Sequence, residues 1–157
     1  MKFIHLFPLL LLLLVSACKN DPTSSYEELD LLSYGMAISV KAPPGAEVGK
    51  DDLGFVQGVW IKSDTSYYIQ IYGSTATVTD IQKLKQERMS EVKAGRYFSK
   101  IIEEETDGFI FEKDIDGVIR YDFRRVKVVG DKEFTFQKGL TGNFSEGEVR
   151  GMYAAVK

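Results

Sequence analysis

Of the two side chains most used in nucleophilic and metal chemistry, this 157-residue chain has one of each, and both His5 and Cys18 fall within its first eighteen residues. Ser-His-Asp and Cys-His nucleophile systems need an imidazole to take the proton. His-ligated and Cys-rich metal sites need several such donors. Downstream of Cys18 neither arrangement can be assembled, and no P-loop or Gly-x-Gly-x-x-Gly fingerprint occurs. No catalytic residue, metal site or cofactor is assigned, and a non-enzymatic role is expected.

Carboxylates are plentiful. Glu103, Glu104, Glu105 and Asp107 form the densest run, and two carboxylates suffice for glycoside hydrolysis. The run lies at a strand end before a turn, where charge discourages strand-to-strand aggregation, so a solvated edge is the preferred reading. Glu112-Lys113-Asp114-Ile115-Asp116-Gly117 has the superficial look of a calcium loop. Counted from Glu112, the acid required at position twelve falls on Phe123, so Asp116-Gly117 is read as a hairpin turn.

The basic stretch Arg120, Arg124, Arg125 and Lys127 has guanidinium forks suited to carboxylate or phosphate. Alternation places Arg120, Asp122 and Arg124 opposite Tyr121 and Phe123, and cross-strand pairing to acids is the expected use of these charges. Along Ser66–Gly73, Tyr67, Ile69 and Ile71 point one way and Tyr68, Gln70 and Tyr72 the other. Trp60 is a candidate to join the second set from the neighbouring strand. Rings beside Gln70, Arg120 and Arg124 suit a glycan, an apolar ligand or a protein partner. Val56 and Trp60 together favour a strand buried on both faces, with these aromatics in the core.

The elements that position these residues follow from periodicity. Tyr34–Lys41 reads as a first strand ended by Ala42-Pro43-Pro44-Gly45, because paired prolines cannot serve a ladder interior. Phe55–Lys62 and Ser66–Gly73 form a hairpin about Ser63-Asp64-Thr65. A helix follows, with Thr79 and Gln82 in capping-box spacing, an apolar stripe of Ile81, Leu84, Met89 and Val92, and a wet side bearing Lys83, Lys85, Glu87 and Glu91. Gly95 stops it. Strands are expected at 97–105, 109–114, 118–129 and 133–138, with Phe109, Phe111, Ile119, Tyr121, Phe123, Phe134 and Phe136 on one shared core face. Ser145 and Glu148 make a second capping box before Val149, Met152, Tyr153 and Val156 at helical spacing. Gly147 and Gly151 weaken that helix by about 1 kcal/mol each, and a close approach to the sheet is their expected compensation. The fold class is α+β, an antiparallel sheet with one internal helix and a C-terminal helix packed on it.

The N-terminus sets the location. Met1-Lys2 precedes an apolar run from Phe3 to Val15, with six leucines from Leu9 to Leu14. A membrane span needs about 20 apolar residues, so this run suits a signal h-region instead. Val15-Ser16-Ala17-Cys18 resembles the bacterial lipobox, in which the Cys is lipidated and becomes the first mature residue. The alternative is an ordinary secretory signal cleaved after Ala17, which leaves Cys18 a free thiol with no partner. The lipobox reading makes 1–17 a lipoprotein signal peptide, 18–26 the lipidated Cys and a flexible tether, and 27–157 a single domain. Acyl chains of the palmitate kind, three by resemblance to bacterial lipoproteins, anchor it permanently at a membrane. Lys19 after the Cys favours the outer membrane by the same resemblance, with periplasmic and surface-facing orientations both open. Cleavage after Ala17 leaves 140 of the 157 residues and removes Lys2, so 19 basic residues face 23 acidic ones for a net charge of −4. An acidic domain of this kind is disfavoured as a nucleic-acid binder.

The order strand, Pro-Gly turn, hairpin, helix, meander, C-terminal helix, with Ile38-Ser39-Val40-Lys41-Ala42-Pro43-Pro44-Gly45 at its start, resembles the PsbP-like fold over residues 33–157. That fold includes extrinsic photosystem subunits, a Ran-binding import factor and bacterial lipoproteins. The chain also resembles small Bacteroidota-type outer-membrane lipoproteins of unknown function. The resemblance implies a binding or assembly module that docks on an envelope protein, and no functional residue carries over from it. A surface binder of a glycan or small ligand through Trp60, Tyr68 and Tyr72 is the alternative.

Overall fold

The computed structural model describes residues 21–157 except Phe55 and Thr65. The residues read as a signal peptide and lipobox, Cys18 among them, lie outside the described residues. Of residues 21–26, expected within the tether, Thr23 and Tyr26 pack on the domain. Thr23 is buried, Asp21 accepts hydrogen bonds from its N–H and hydroxyl, and the Tyr26 ring meets Tyr67 edge-on at 5.5 Å.

The elements run β1 (Glu27–Asp30), a 3₁₀ turn (Leu32–Tyr34), β2 (Ser39–Ala42), β3 (Glu47–Leu53), β4 (Val56–Ser63), β5 (Tyr67–Thr75), α1 (Ile81–Lys93), β6 (Phe98–Glu104), β7 (Gly108–Ile115), β8 (Val118–Val129), β9 (Lys132–Lys138) and α2 (Glu146–Ala155). Seven strands form one antiparallel sheet in the order β3-β4-β5-β9-β8-β7-β6, and β1 pairs with β2 in a small second sheet. The fold is thus α+β, with one internal and one C-terminal helix.

Turn chemistry explains most joins. Ala46 N–H bonds the Pro43 carbonyl with Gly45 at φ +75°, the positive φ that a Pro-Gly type II turn requires. Asp116 and Gly117 both have positive φ between Ile115 and Val118, as a two-residue I′ hairpin demands. Asp107-Gly108 is different. Gly108 is buried in β7, where a Cβ would stand 2.8 Å from the Arg124 carbonyl and 2.9 Å from Tyr153, so close approach selects it rather than a turn.

Several expected boundaries shift. The strand expected over Tyr34–Lys41 is β2 and begins only at Ser39, because Leu32–Tyr34 turn and Gly35 takes φ +89°. β1 and β3 were not foreseen; β3 is a charged edge strand, EVGKDDL, with little alternation to announce it. The α1 cap is Asp80 rather than Thr79, its carboxylate accepting from the N–H groups of Gln82 and Lys83. Lys85, assigned to the wet side, is buried against Glu104 at 2.7 Å. The α2 capping box forms as expected, and Val149, Met152, Tyr153 and Val156 are all buried. Its glycines do not approach the sheet: a Cβ on Gly147 would meet nothing within 4 Å, and one on Gly151 would face Pro22 and Tyr26.

The single core face also divides in two. Phe109 pairs with Arg124 and Phe111 with Asp122, so these rings share the α1 side with Met89. Phe123, Phe134 and Phe136 lie on the α2 side with Ile61, Ile69 and Ile71. Alternation fixes parity within a strand, while only register fixes it between strands.

Candidate functional site

β5 runs through the middle of the sheet, and its side chains alternate between two environments. Tyr67, Ile69 and Ile71 are sealed on the α2 side, whereas Tyr68 and Tyr72 are half-buried on the other. Register decides which residues join them. Trp60 pairs with Gln70, Gln70 with Gln137, and Gln137 with Arg124. These four residues form one row across β4, β5, β9 and β8. Lys62 lies opposite Tyr68 and Gly58 opposite Tyr72, placing the two tyrosines on either side of that row.

Glycines set the attitude of the rings. A Cβ on Gly49 would come within 2.1 Å of the Trp60 indole, and one on Gly139 within 2.1 Å of the Tyr68 ring. Each ring lies in the space that a missing side chain leaves on the adjacent strand. Gln70 is buried between the rings and accepts from Gln137 Nε2 at 3.4 Å. The Lys62 ammonium sits 5.8 Å from the Tyr68 ring centre. Burial pushes the Tyr72 hydroxyl above its ordinary range, Asp51 and Tyr68 push the same way, and Arg124 pulls it back.

The expectation that this face is core holds for Gln70, which is buried, and in part for Tyr68, which packs against the larger cluster, but not for the other two rings. Trp60 and Tyr72 retain solvent contact and belong to neither hydrophobic cluster. α1 is seated on β8, toward the far end of the row, and α2 packs on the opposite side of the sheet. Of this face, Arg124 lines a cleft at the end of α1 and Gly58 lines one beside β3.

The basic stretch divides by parity. Arg120 and Arg124 share the ring side of the sheet, where Arg124 bonds Asp122 at 3.1 Å and Lys113 bonds it at 2.7 Å. Arg125 is 2% exposed on the α2 side, with Nη1 donating to both Asp107 oxygens and Nη2 paired to Glu105. The acidic run is a partly solvated edge, as expected, and its carboxylates are also paired. Glu103 pairs with Arg150, Glu104 with Lys85, and Glu105 also with Lys157.

Glu105 and Asp107 border the largest cleft, about 780 Å³, with Thr79, Ile81 and Lys127. Burial raises the Glu105 pKa, but its bonds to Lys157 and Arg125 outweigh this and hold it below the usual carboxylate range. A general acid for glycoside cleavage needs the opposite shift.

Sequence reasoning missed Gln137, Gly49 and Gly139. Gln137 was recoverable from its parity against Phe136. The two glycines acquire meaning only through register. Comparison with family models, curated proteins and solved structures finds no match for the chain.

Proposed function

We propose that the protein is a non-enzymatic, lipid-anchored envelope lipoprotein, PsbP-like in element order, held at the outer membrane through Cys18. Its Trp60–Tyr72 face docks on another envelope protein. The row Trp60–Gln70–Gln137–Arg124, flanked by Tyr68 and Tyr72, carries this reading. Trp, Tyr and Arg dominate the energetics of protein interfaces. Rings braced on glycines lose little freedom when a partner covers them. Among the described residues no helix is long and apolar enough to cross a membrane, so a lipid on Cys18 would do the anchoring.

The glycan alternative draws on the same braced rings, which present flat surfaces beside the amides of Gln70 and Gln137. Purification of the lipidated protein from detergent-solubilised envelopes separates the two. Wild type is expected to carry a stoichiometric protein that Trp60→Ala/Tyr72→Ala loses at unchanged abundance and that Cys18→Ala fails to recruit. A protein that sediments alone at every salt concentration overturns the docking reading. A solitary protein that binds an immobilised glycan through Trp60 establishes the alternative.

A further inference from the structure

Toward the other end of the same sheet side lies a second site, which shares Arg124 with the docking row and is otherwise built from different residues. A cleft of about 380 Å³ opens between the end of α1 and strands β6–β8. Its walls are apolar: Val92, Phe98, Phe111 and Ile115, with Tyr97 at the rim. Arg96, Lys113 and Arg124 line it as well. Phe111 is buried, with the Lys113 ammonium 5.3 Å and the Arg124 guanidinium 5.5 Å from its ring centre.

The charges do not balance. Asp122 is the carboxylate that answers both Lys113 and Arg124, and its Oδ1 also accepts the Phe123 N–H. Among the described residues neither Arg96 nor Arg120 has an ion pair, and Arg120 stands directly opposite Lys113 in the β7–β8 ladder. Like charges so placed destabilise a sheet, in a chain whose net charge is −3. The one acid lining the cleft, Glu91, is already tied to Arg88 at 2.6 Å. The carbonyls of Ser90, Val92, Gly95 and Tyr97 each accept a backbone N–H, so they add little acceptor capacity for a cation.

We infer that this cleft binds a small organic carboxylate with an aromatic body, its ring against Phe98, Phe111 and Ile115 and its carboxylate against Arg96 and Lys113. An aromatic body gains from edge or offset contacts with Phe98 and Phe111, and the carboxylate forms charge-assisted bonds to cations that no protein acid fully answers.

Calorimetric titration of the full chain in zwitterionic nanodiscs, with empty nanodiscs subtracted, tests this. The probes are 3-phenylpropionate, neutral 3-phenylpropanol and acetate. Saturable 1:1 binding of 3-phenylpropionate is expected, with each control at least about tenfold weaker, 3-phenylpropanol because it lacks the charge-assisted bond and acetate because it buries no ring. Arg96→Glu is expected to weaken it by about tenfold or more. Arg96 is exposed and has no ion pair among the described residues, its one ring contact being with Tyr97 at the rim, so its change leaves the fold intact. Ile115→Asp, which places an acid on the apolar wall, should abolish binding independently. Equal affinity for 3-phenylpropanol, no saturation by any probe, or full binding in both variants overturns the inference.

Discussion

The guanidinium of Arg125 lies 4.1 Å from the centre of the Tyr153 ring, deep between β8 and α2. Glu105 and Asp107 from the β6–β7 turn close around it. A charge with 2% exposure is tolerated there because two carboxylates and an aromatic face replace its water. The cluster therefore fixes how α2 meets the sheet edge.

Removing both acids should leave that charge unanswered. Glu105→Gln/Asp107→Asn is expected to cost about 3–5 kcal/mol, the range for breaking a buried ion pair. Each single change should cost clearly less, because the remaining carboxylate still faces Arg125. Urea midpoints at constant slope measure all three variants. Wild-type midpoints in all three variants would show that the pairs contribute nothing.

Acid sensitivity should be traceable to named pairs. The bond from Lys85 holds the Glu104 carboxyl below its ordinary 4.5, and Glu105 is held low as well despite its burial. A depressed carboxyl stabilises the fold fully above its unfolded value and loses that contribution as pH falls through its folded value. Stability should thus fall as pH drops below about 4.5, the ordinary Glu value. Lys85→Met, which fills the same buried space, should flatten that fall. An unchanged dependence of the urea midpoint on pH would refute the assignment.

The two apolar clusters should respond unequally to truncation. Phe136→Ala removes a fully buried ring from the larger cluster and should cost about 3–5 kcal/mol. Met89→Ala should fall nearer about 2 kcal/mol, because its neighbours Val92, Phe98 and Ile101 are partly exposed and can close over the gap. Equal costs in denaturant titration would mean that the clusters behave as one.

Much of this architecture was legible in the residues. Asp116-Gly117 and Pro43-Pro44-Gly45 announced their turns, Ser145 and Glu148 announced α2, and strong alternation placed β5, β8 and β9. Failure came where meaning depends on a neighbour. Phe109 and Phe111 looked like partners of Phe123 until register put them on opposite sides of the sheet. β3 is too charged to read as a strand, yet Gly49 within it decides how Trp60 lies. Of the candidate binding residues, Trp60, Tyr68, Gln70, Tyr72 and Arg124 share one continuous face, whereas Arg120 belongs with Lys113 farther along it.

Trp60 is the sole tryptophan, so its fluorescence reports the docking face directly. Gly49→Ala places a methyl where the indole now lies and should swing the ring toward water. The emission maximum should move to longer wavelength and acrylamide quenching should rise, with partner recovery falling in parallel. Unchanged emission would mean that Gly49 does not brace the ring.

The most direct measurement is photo-crosslinking from the docking face in intact envelopes. A photoreactive phenylalanine replaces Tyr72 in one lipidated protein and Ile119, exposed on the opposite side of the sheet, in another. Docking through the aromatic face predicts one discrete protein adduct from position 72, lost with Trp60→Ala, and none of that size from position 119. Equal adducts from both positions, or none from position 72, would contradict it.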